Sequence, residues 1–351
     1  MGRFGSGAGA EPVVGPAGGA GAVHRVRLAR HRRGAAPRRS DRRVVSGRAR
    51  RNRRYRRPRD RATPRLHPQT AGGRARPRSG GAGGTGLVTL PGVTGTPRAL
   101  YRFVLGYEPI RESVSIEGGD PARFLLEPVT AAAVCYDDAW VLLDSGFDTD
   151  AVRDPARRAA RYNYDSYTAL LPPGDPLVDQ VRAAGLDWRR LSGCALSHLH
   201  LDHTGGLRLL EGGPPVLVQR AEWEFATTEA DARHVYARDD YLRPGLDVRL
   251  LDGETELAPG LSTLDTRGRT PGHQSFRIGL AGRTVVLACD AADLRANITG
   301  PRACGWATDP VAARVAIRRL HELDRQPATE VWPGHDPDWW AWQEPGLYPA
   351  R

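Results

Sequence analysis

Six residues near the middle of the chain, His198-Leu199-His200-Leu201-Asp202-His203, hold three imidazoles and a carboxylate. Alternate positions of an extended segment point the same way, so His198, His200 and Asp202 can converge, with His203 turning to a neighbouring point. The apolar Cys194-Ala195-Leu196 leads in. Thr204-Gly205-Gly206 follows, where backbone can approach a bound group closely. Imidazole and carboxylate together suit Zn²⁺, or alternatively Fe, Mn or Co. One four-coordinate ion could not use all of these groups and keep an open position. Three further strand ends supply more candidates: His273 in Thr270-Pro271-Gly272-His273-Gln274-Ser275, Asp290 after the run Thr284 to Ala288, and His335 in Pro333-Gly334-His335-Asp336. Five histidines and two aspartates suit two metals about 3.5–4 Å apart with one carboxylate between them.

Simpler readings of the same residues fit less well. Histidines at strand ends, two of them beside glycines, would fill a core poorly. A structural zinc site is usually closed by thiolates, and Cys135, Cys194, Cys289 and Cys304 have no suitable spacing. Cys289 reads as a buried strand residue facing away from Asp290. The other histidines (His24, His31, His67, His234, His321) fall in a basic tail or on expected helices and read as ordinary surface or core residues. No GxSxG elbow lies near the cluster, so a serine nucleophile is not expected.

The order of these residues resembles the metallo-β-lactamase superfamily, whose signature is HxHxDH followed by a later His, Asp and His. The resemblance covers about residues 100–345. It implies a four-layer αβ/βα sandwich with two zinc ions at one sheet edge (Fe, Mn or Co being alternatives). His198, His200 and His273 would hold the first ion, Asp202, His203 and His335 the second, and Asp290 would bridge. Asp144, in Leu142-Leu143-Asp144-Ser145-Gly146, is similar to the family's strand-end LxDTG and would orient a ligand imidazole.

Within the superfamily the sequence looks like the N-acyl-homoserine lactonases. Ser197 to Gly206, Val218-Gln219-Arg220-Ala221-Glu222-Trp223, Thr270 to Ser275 and Trp332-Pro333-Gly334-His335-Asp336 carry that likeness. The implied reaction is hydrolysis of a lactone or related ester by a hydroxide bridging two cations, with Asp202 passing a proton to the leaving alkoxide. One position departs. Where those lactonases carry a tyrosine three residues after the bridging aspartate, this chain has Asp293, which is acceptor-only when ionised and would repel an oxyanion. That departure keeps a thioesterase, phosphodiesterase or β-lactamase activity in play. Asp293 and Leu201 are candidate substrate contacts. Ala169-Leu170-Leu171 and Trp306 could complete a groove for an alkyl chain.

The elements that must position these groups begin near Leu87. The 351 residues contain no lysine, so all 51 basic residues are arginine. Residues 1–86 hold 23 of them against three acids, a net +20, whereas residues 87–351 hold 28 against 37, a net −9. The first segment is Gly, Ala, Pro and Arg without apolar periodicity, and it cannot bury enough surface to offset its ordering entropy. It reads as a disordered tail or, since Met1 is the only methionine, as the product of a start assigned upstream of the real one. Residues 87–351 read as one α/β hydrolase domain. Short apolar runs at Phe124 to Leu126, Ala132 to Val134, Trp140 to Leu143, Cys194 to Leu196, Val216 to Val218, Leu261 to Leu264, Phe276 to Leu280, Thr284 to Ala288 and Glu330 to Trp332 predict strands. Asp175-Pro176 and Asp309-Pro310 predict capped helices, the second with Val311, Val315 and Leu323 inward, and Ala221-Glu222-Trp223 opens another.

The −9 domain argues against a nucleic-acid partner, because polyphosphate substrates call for a basic groove. No apolar run approaches the ~20 residues of a membrane span, and no twin arginine precedes a signal-like apolar stretch. Unpaired cysteines in a chain of this size point to the cytoplasm. The expected partner is a small-molecule lactone or ester; nothing in the sequence reads out an oligomeric state.

Overall fold

The computed structural model describes residues 78–79, 90–162, 168–228, 235–341 and 346–349. The chain divides into two units, residues 1–61 and 62–351, and everything below concerns the second. Apart from Arg78 and Ser79, the basic segment 1–86 lies outside the described residues, and so does His234.

Two mixed sheets face each other. The strands, in chain order, are β1 (Arg78–Ser79), β2 (Ala99–Arg111), β3 (Phe124–Cys135), β4 (Trp140–Leu143), β5 (Leu191–Ala195), β6 (Val216–Gln219), β7 (Val248–Leu251), β8 (Glu256–Ala258), β9 (Leu261–Asp265), β10 (Gln274–Leu280), β11 (Arg283–Leu287), β12 (Thr329–Trp332) and β13 (Gly346–Pro349). The first sheet runs β1-β7-β6-β5-β4-β3-β2-β13, and the second β12-β11-β10-β9-β8. Strands β4 to β7 are parallel, which requires crossover connections. Helices Pro176–Ala183 and Arg220–Thr228 supply two of them.

Burial separates the layers. Leu100, Val134, Val141, Leu217, Phe276, Ile278 and Trp332 pack between the sheets. Leu142, Leu196, Val218 and Trp223 pack on the outer side of the first sheet. Val286 and Val331 pack beneath helix Pro310–Asp324 on the far side of the second. The result is helix, sheet, sheet, helix, the sandwich expected above. Strand β4 reads WVLL without alternation because both its faces are covered.

Several local expectations hold in detail. The Asp175 carboxylate accepts from Val178 N–H, and the Asp309 carboxylate from Val311 and Ala312 N–H, each ahead of a proline at the first helical position. On helix Pro310–Asp324 the inward face matches the expectation at Leu323, which packs against the core, but not at the two valines. Val311 and Val315 are 70% and 55% exposed, while Ala313, Ala316, Ile317 and Leu320 are buried. The helix lies so close to the turn before β10 that a Cβ on Gly268 would come within 2.3 Å of Ala313 N. Only an alanine-lined face fits there. The long hairpin arm β2 is not among the strands expected from apolar runs, and Phe124 to Leu126 and Ala132 to Val134 are parts of one strand.

Gly205 shows how tightly the central loops are stacked. Its N–H donates to Gly146 O at 2.7 Å, and a Cβ there would lie 1.7 Å from Asp148 N. The close backbone approach expected at Gly205-Gly206 is therefore to the chain's own 145–148 turn and not to a bound group. Because the obstacle is backbone, relaxation is not local. Gly205→Ala should destabilise the fold by at least about 3 kcal/mol, the upper range for overpacking. A denaturant midpoint within experimental error of the parent would disprove this packing.

Candidate metal centre

The seven candidate ligands meet at one edge of the sandwich. Strand β5 ends at Ala195 and delivers His198 and His200 on extended backbone; the chain then turns into the short helix Leu201–Thr204. Asp202 thus comes from a helical turn, not from the alternating extended segment expected, and His203 follows it on the same turn. His273 directly precedes β10. Asp290 lies on the turn Cys289–Ala291 that follows β11, and His335 follows β12. Cys289 is part of that turn (φ +48°) and packs between the sheets.

Separations are short. His203 Nε2 lies 3.0 Å from Asp202 Oδ2 and 3.1 Å from Asp290 Oδ1; His335 Nε2 lies 2.9 Å from Asp290 Oδ1 and 4.0 Å from Asp202 Oδ2; His198 Nε2 lies 3.4 Å from Asp290 Oδ2. Donor atoms of His198, His200 and Asp290 fall within 4.8 Å of one another, as do those of Asp202, His203 and His335. The His273 ring centroid is 5.2 Å from that of His198. All seven side chains are buried.

The outer nitrogens are held by the protein. His203 Nδ1 is 2.9 Å from Asp144 Oδ2, whose other oxygen accepts Ser197 N–H at 2.7 Å. Asp144 sits at φ +58°, a conformation costly for a non-glycine residue and kept where the surroundings enforce it. His335 Nδ1 donates to Pro128 O at 3.0 Å. Nδ1 of His198 is 3.0 Å from Ser197 Oγ, and Nδ1 of His273 is 3.0 Å from Thr266 Oγ1. With Nδ1 so engaged, the Nε2 lone pair turns inward. The Nε2 atoms of His198, His200, His203 and His273 are buried without a hydrogen bond. The lone pair of a neutral imidazole and a facing carboxylate oxygen cannot satisfy each other. A cation can, so the donor set fits one or two divalent metal ions with N and O preference.

Electrostatics agree with that fit. Burial and the neighbouring His198 push His200 and His273 well below the usual imidazole range. Burial opposes charge on His203 and His335 too, yet facing carboxylates (Asp202 and Asp144 for His203, Asp290 for His335) hold both well above it. Asp290, despite burial, stays well below the carboxylate range because His198, His203, His335 and Arg269 surround it.

Two residues that sequence reasoning missed complete the cradle. The fully buried Glu222 accepts Leu199 N–H at 3.0 Å and the Tyr236 hydroxyl at 3.0 Å with one oxygen, and Gly272 N–H at 3.2 Å with the other. It ties the His198–His200 loop to the His273 loop. A Cβ on Gly272 would come within 2.2 Å of Glu222 N, so glycine is required there. Arg269 places Nη2 3.2 Å from Asp290 Oδ2 and stacks 4.8 Å from the Trp306 ring. Nothing in the sequence sets it apart from the other arginines.

The cluster opens into a cavity of about 550 Å³. Ile110, Val114, Phe225, Val235, Tyr236 and Trp306 form its apolar lining; Glu108, Arg111, Glu127, Arg269 and Asp293 its charged part; and His200, Asp202, Asp290 and His335 its floor. Asp293 and Trp306 are therefore where a substrate would lie. Leu201 and Ala169 are not: they pack with Val129, Phe147, Val152 and Tyr162 in a separate apolar cluster, Leu171 lies against it, and Leu170 pairs with Tyr107. Sequence proximity to the ligands misled here, because Leu201 begins the helix and points away from the metal side.

The end of that helix carries a titrating pair. Asp240 is buried; it accepts the Thr204 hydroxyl at 3.2 Å and Arg161 Nη1 at 2.9 Å, and burial, against Arg161, pushes it up to about 6. A carboxyl raised in the folded state contributes stability below its unfolded value near 4 that is lost as pH rises through about 6. Between pH 4 and 7 the parent should therefore lose about 3 kcal/mol relative to Asp240→Asn. Parallel urea-stability curves for the two proteins over that range would refute the assignment.

Fold and site together define a class. Residues 125–349 match the metallo-beta-lactamase superfamily, and the chain belongs to it. Among named relatives, it is 30% identical over 237 residues to the N-acyl homoserine lactonase AttM of Agrobacterium fabrum (strain C58), covering 65% of this chain and 89% of the relative. It is 28% identical over 244 residues to the N-acyl homoserine lactonase of Bacillus thuringiensis, covering 69% and 94%. Among solved structures, an N-acyl homoserine lactone hydrolase with the product N-hexanoyl-L-homoserine at its catalytic metal centre superposes with a TM-score of 0.63 at 25% identity, over 71% of this chain and 98% of that one. A quorum-quenching N-acyl homoserine lactone lactonase gives 0.59 at 26% identity, over 70% and 94%.

Proposed function

We propose that this protein is a dinuclear zinc hydrolase that opens a lactone ring, that of an N-acyl-homoserine lactone or a related compound. The observation that carries the reading is the set of buried, inward-facing imidazole nitrogens and two aspartates on the floor of one cavity. Similarity to lactonases at 28–30% identity supports the substrate class. His198, His200 and His273 would hold one ion, Asp202, His203 and His335 the other, and Asp290 both. Imidazole and carboxylate donors favour zinc, with Fe, Mn or Co able to substitute. Bound cations would supply hydroxide at neutral pH and polarise the scissile carbonyl.

The chain's own residues account for the rest. Asp144 fixes the ring of His203, Thr266 that of His273, and Glu222 the spacing of the loops that carry them. In ester hydrolysis water contributes its hydroxyl to the carbonyl carbon and its proton to the alkoxide released as the ring C–O bond breaks. Asp202, on the cavity floor, is placed to carry that proton. The net −9 of residues 87–351 weighs against nucleic acid as a partner. We place the protein in the cytoplasm: its four cysteines are buried and unpaired, as a reducing compartment leaves them.

The test is metal content per chain measured beside turnover of a panel: N-acyl homoserine lactones of varied chain length, γ-butyrolactone, a thioester, a nitrophenyl phosphodiester and a chromogenic cephalosporin. Two metals per chain with lactone hydrolysis dominant is the expected result. Full metal content with a thioester or phosphodiester hydrolysed faster than any lactone would overturn the substrate class.

A further inference from the structure

Among the cavity-lining residues, Nε of Arg269 and Oδ1 of Asp293 are buried without a hydrogen-bond partner among the described residues. Both groups lie beside Asp290. Arg269 Nη2 is 3.2 Å from Asp290 Oδ2, while a carboxylate oxygen of Asp293 lies within 4.8 Å of donor atoms of both Asp290 and His335. Both groups are braced. Arg269 donates Nη1–H to Trp306 O at 3.0 Å and stacks on that indole. The Asp293 carbonyl accepts His335 N–H at 2.9 Å, and the neighbouring Ala292 carbonyl accepts Gly334 N–H at 2.9 Å. Asp293 is 2% exposed.

A buried donor or acceptor left without a partner is costly, and a braced one cannot swing away to find water. One fixed donor and one fixed acceptor beside the reacting floor complement a ligand that offers an acceptor and a donor in return. A simple alkyl lactone has carbonyl and ring oxygens but no N–H. A lactone with an acylamino substituent beside the ester carbonyl has both.

We propose that Arg269 and Asp293 are the specificity pair of this site, Arg269 donating Nε–H to a substrate carbonyl oxygen and Asp293 accepting an amide N–H, so that the substrate class is α-acylamino lactones as opposed to alkyl lactones of equal size. This rests on the lactonase reading above. It gives Asp293 a task that a hydroxyl donor at the same position would not perform: it reads the amide, and the oxyanion is left to other groups.

The experiment compares kcat/KM of the zinc-loaded protein for N-hexanoyl-homoserine lactone and for α-heptyl-γ-butyrolactone, which keeps ring and chain length but lacks the amide. The wild type should favour the amide substrate at least about thirty-fold, since a site built around hydrogen bonds rejects the analogue that lacks them. Asp293→Leu and Arg269→Gln should each cut that ratio to below about three, chiefly through KM, because the amide is held before and during reaction. Asp293→Asn keeps an acceptor oxygen and should retain most of the preference. The ring-opened product N-hexanoyl-homoserine, used as a competitive inhibitor, should bind Asp293→Leu at least about tenfold more weakly. Metal content is measured in every variant, and loss of metal in Asp293→Leu would make Asp293 a ligand and sink the proposal. If Asp293→Leu does not fold, Arg269→Gln and Asp293→Ala carry the same ratio test. An unchanged ratio in Arg269→Gln and Asp293→Leu, or equal wild-type rates on both lactones, would overturn the inference while leaving the lactonase reading intact. Full metal content with neither lactone opened would overturn both.

Discussion

Stripping the metal with a chelator should reduce lactone turnover by at least about a thousandfold and lower the unfolding temperature by about 10 °C. The first figure follows from what bound cations do for hydrolysis: they supply hydroxide at neutral pH and stabilise the developing charge, and neither can be replaced by side chains of this cavity. The second follows from linkage. Five imidazoles and two carboxylates are buried at one point, and four Nε2 atoms there have no hydrogen bond. Ligand held at a thousand times its dissociation constant adds about 4 kcal/mol, which for a domain of this size is roughly 10 °C. Both losses should reverse on adding Zn²⁺ to the stripped protein. The pH response should change as well. Without cations, His203 and His335 are held protonated by the carboxylates that face them, so the stripped protein should lose stability as pH rises through their elevated range, and the loaded protein should not. A stripped sample that melts at the same temperature and turns over at the same rate would remove the metal from the account altogether.

Asp202→Asn should lower kcat for a lactone by about 10²- to 10⁴-fold, the usual yield of a positioned acid–base group. Its carboxylate is 3.0 Å from His203 Nε2 and 4.0 Å from His335 Nε2, so the variant should also bind its second metal less tightly. The two effects separate by leaving group. With an alkyl lactone the departing alkoxide needs a proton and the full loss is expected. With a nitrophenyl ester it does not, and in metal-replete buffer most of the rate should return. Equal losses on both substrates at full metal content would show that Asp202 only holds metal. Full activity and full metal content together would contradict both roles.

The candidate metal set is legible in the sequence because its chemistry is carried by rare residue types at short spacings. His198, His200, Asp202 and His203 are contiguous, and His273, Asp290 and His335 each sit where an apolar strand begins or ends. Strand positions were legible for the same reason, since a strand buried on both faces, such as Trp140–Leu143, is written as an unbroken apolar run. Capped helices announced themselves through Asp-Pro pairs at 175–176 and 309–310.

What lay beyond the sequence were choices between residues of one type and questions of which way a side chain faces. Arg269 is one of 51 arginines, and only its place beside Asp290 and Trp306 distinguishes it. Glu108 and Glu127 reach the cavity because β2 and β3 set them in register. Leu201 is next to two ligands in sequence yet faces a different core, and Val311 and Val315 are exposed where alanines take the contact. The physical reason is common to all of these. Residue type and local spacing determine what chemistry a side chain can do and which backbone form it favours, both short-range properties. Which arginine is desolvated, which face of a helix is covered and which carboxylates share a wall are set by contacts between separate segments of the chain, and those exist only once the two sheets have closed on each other.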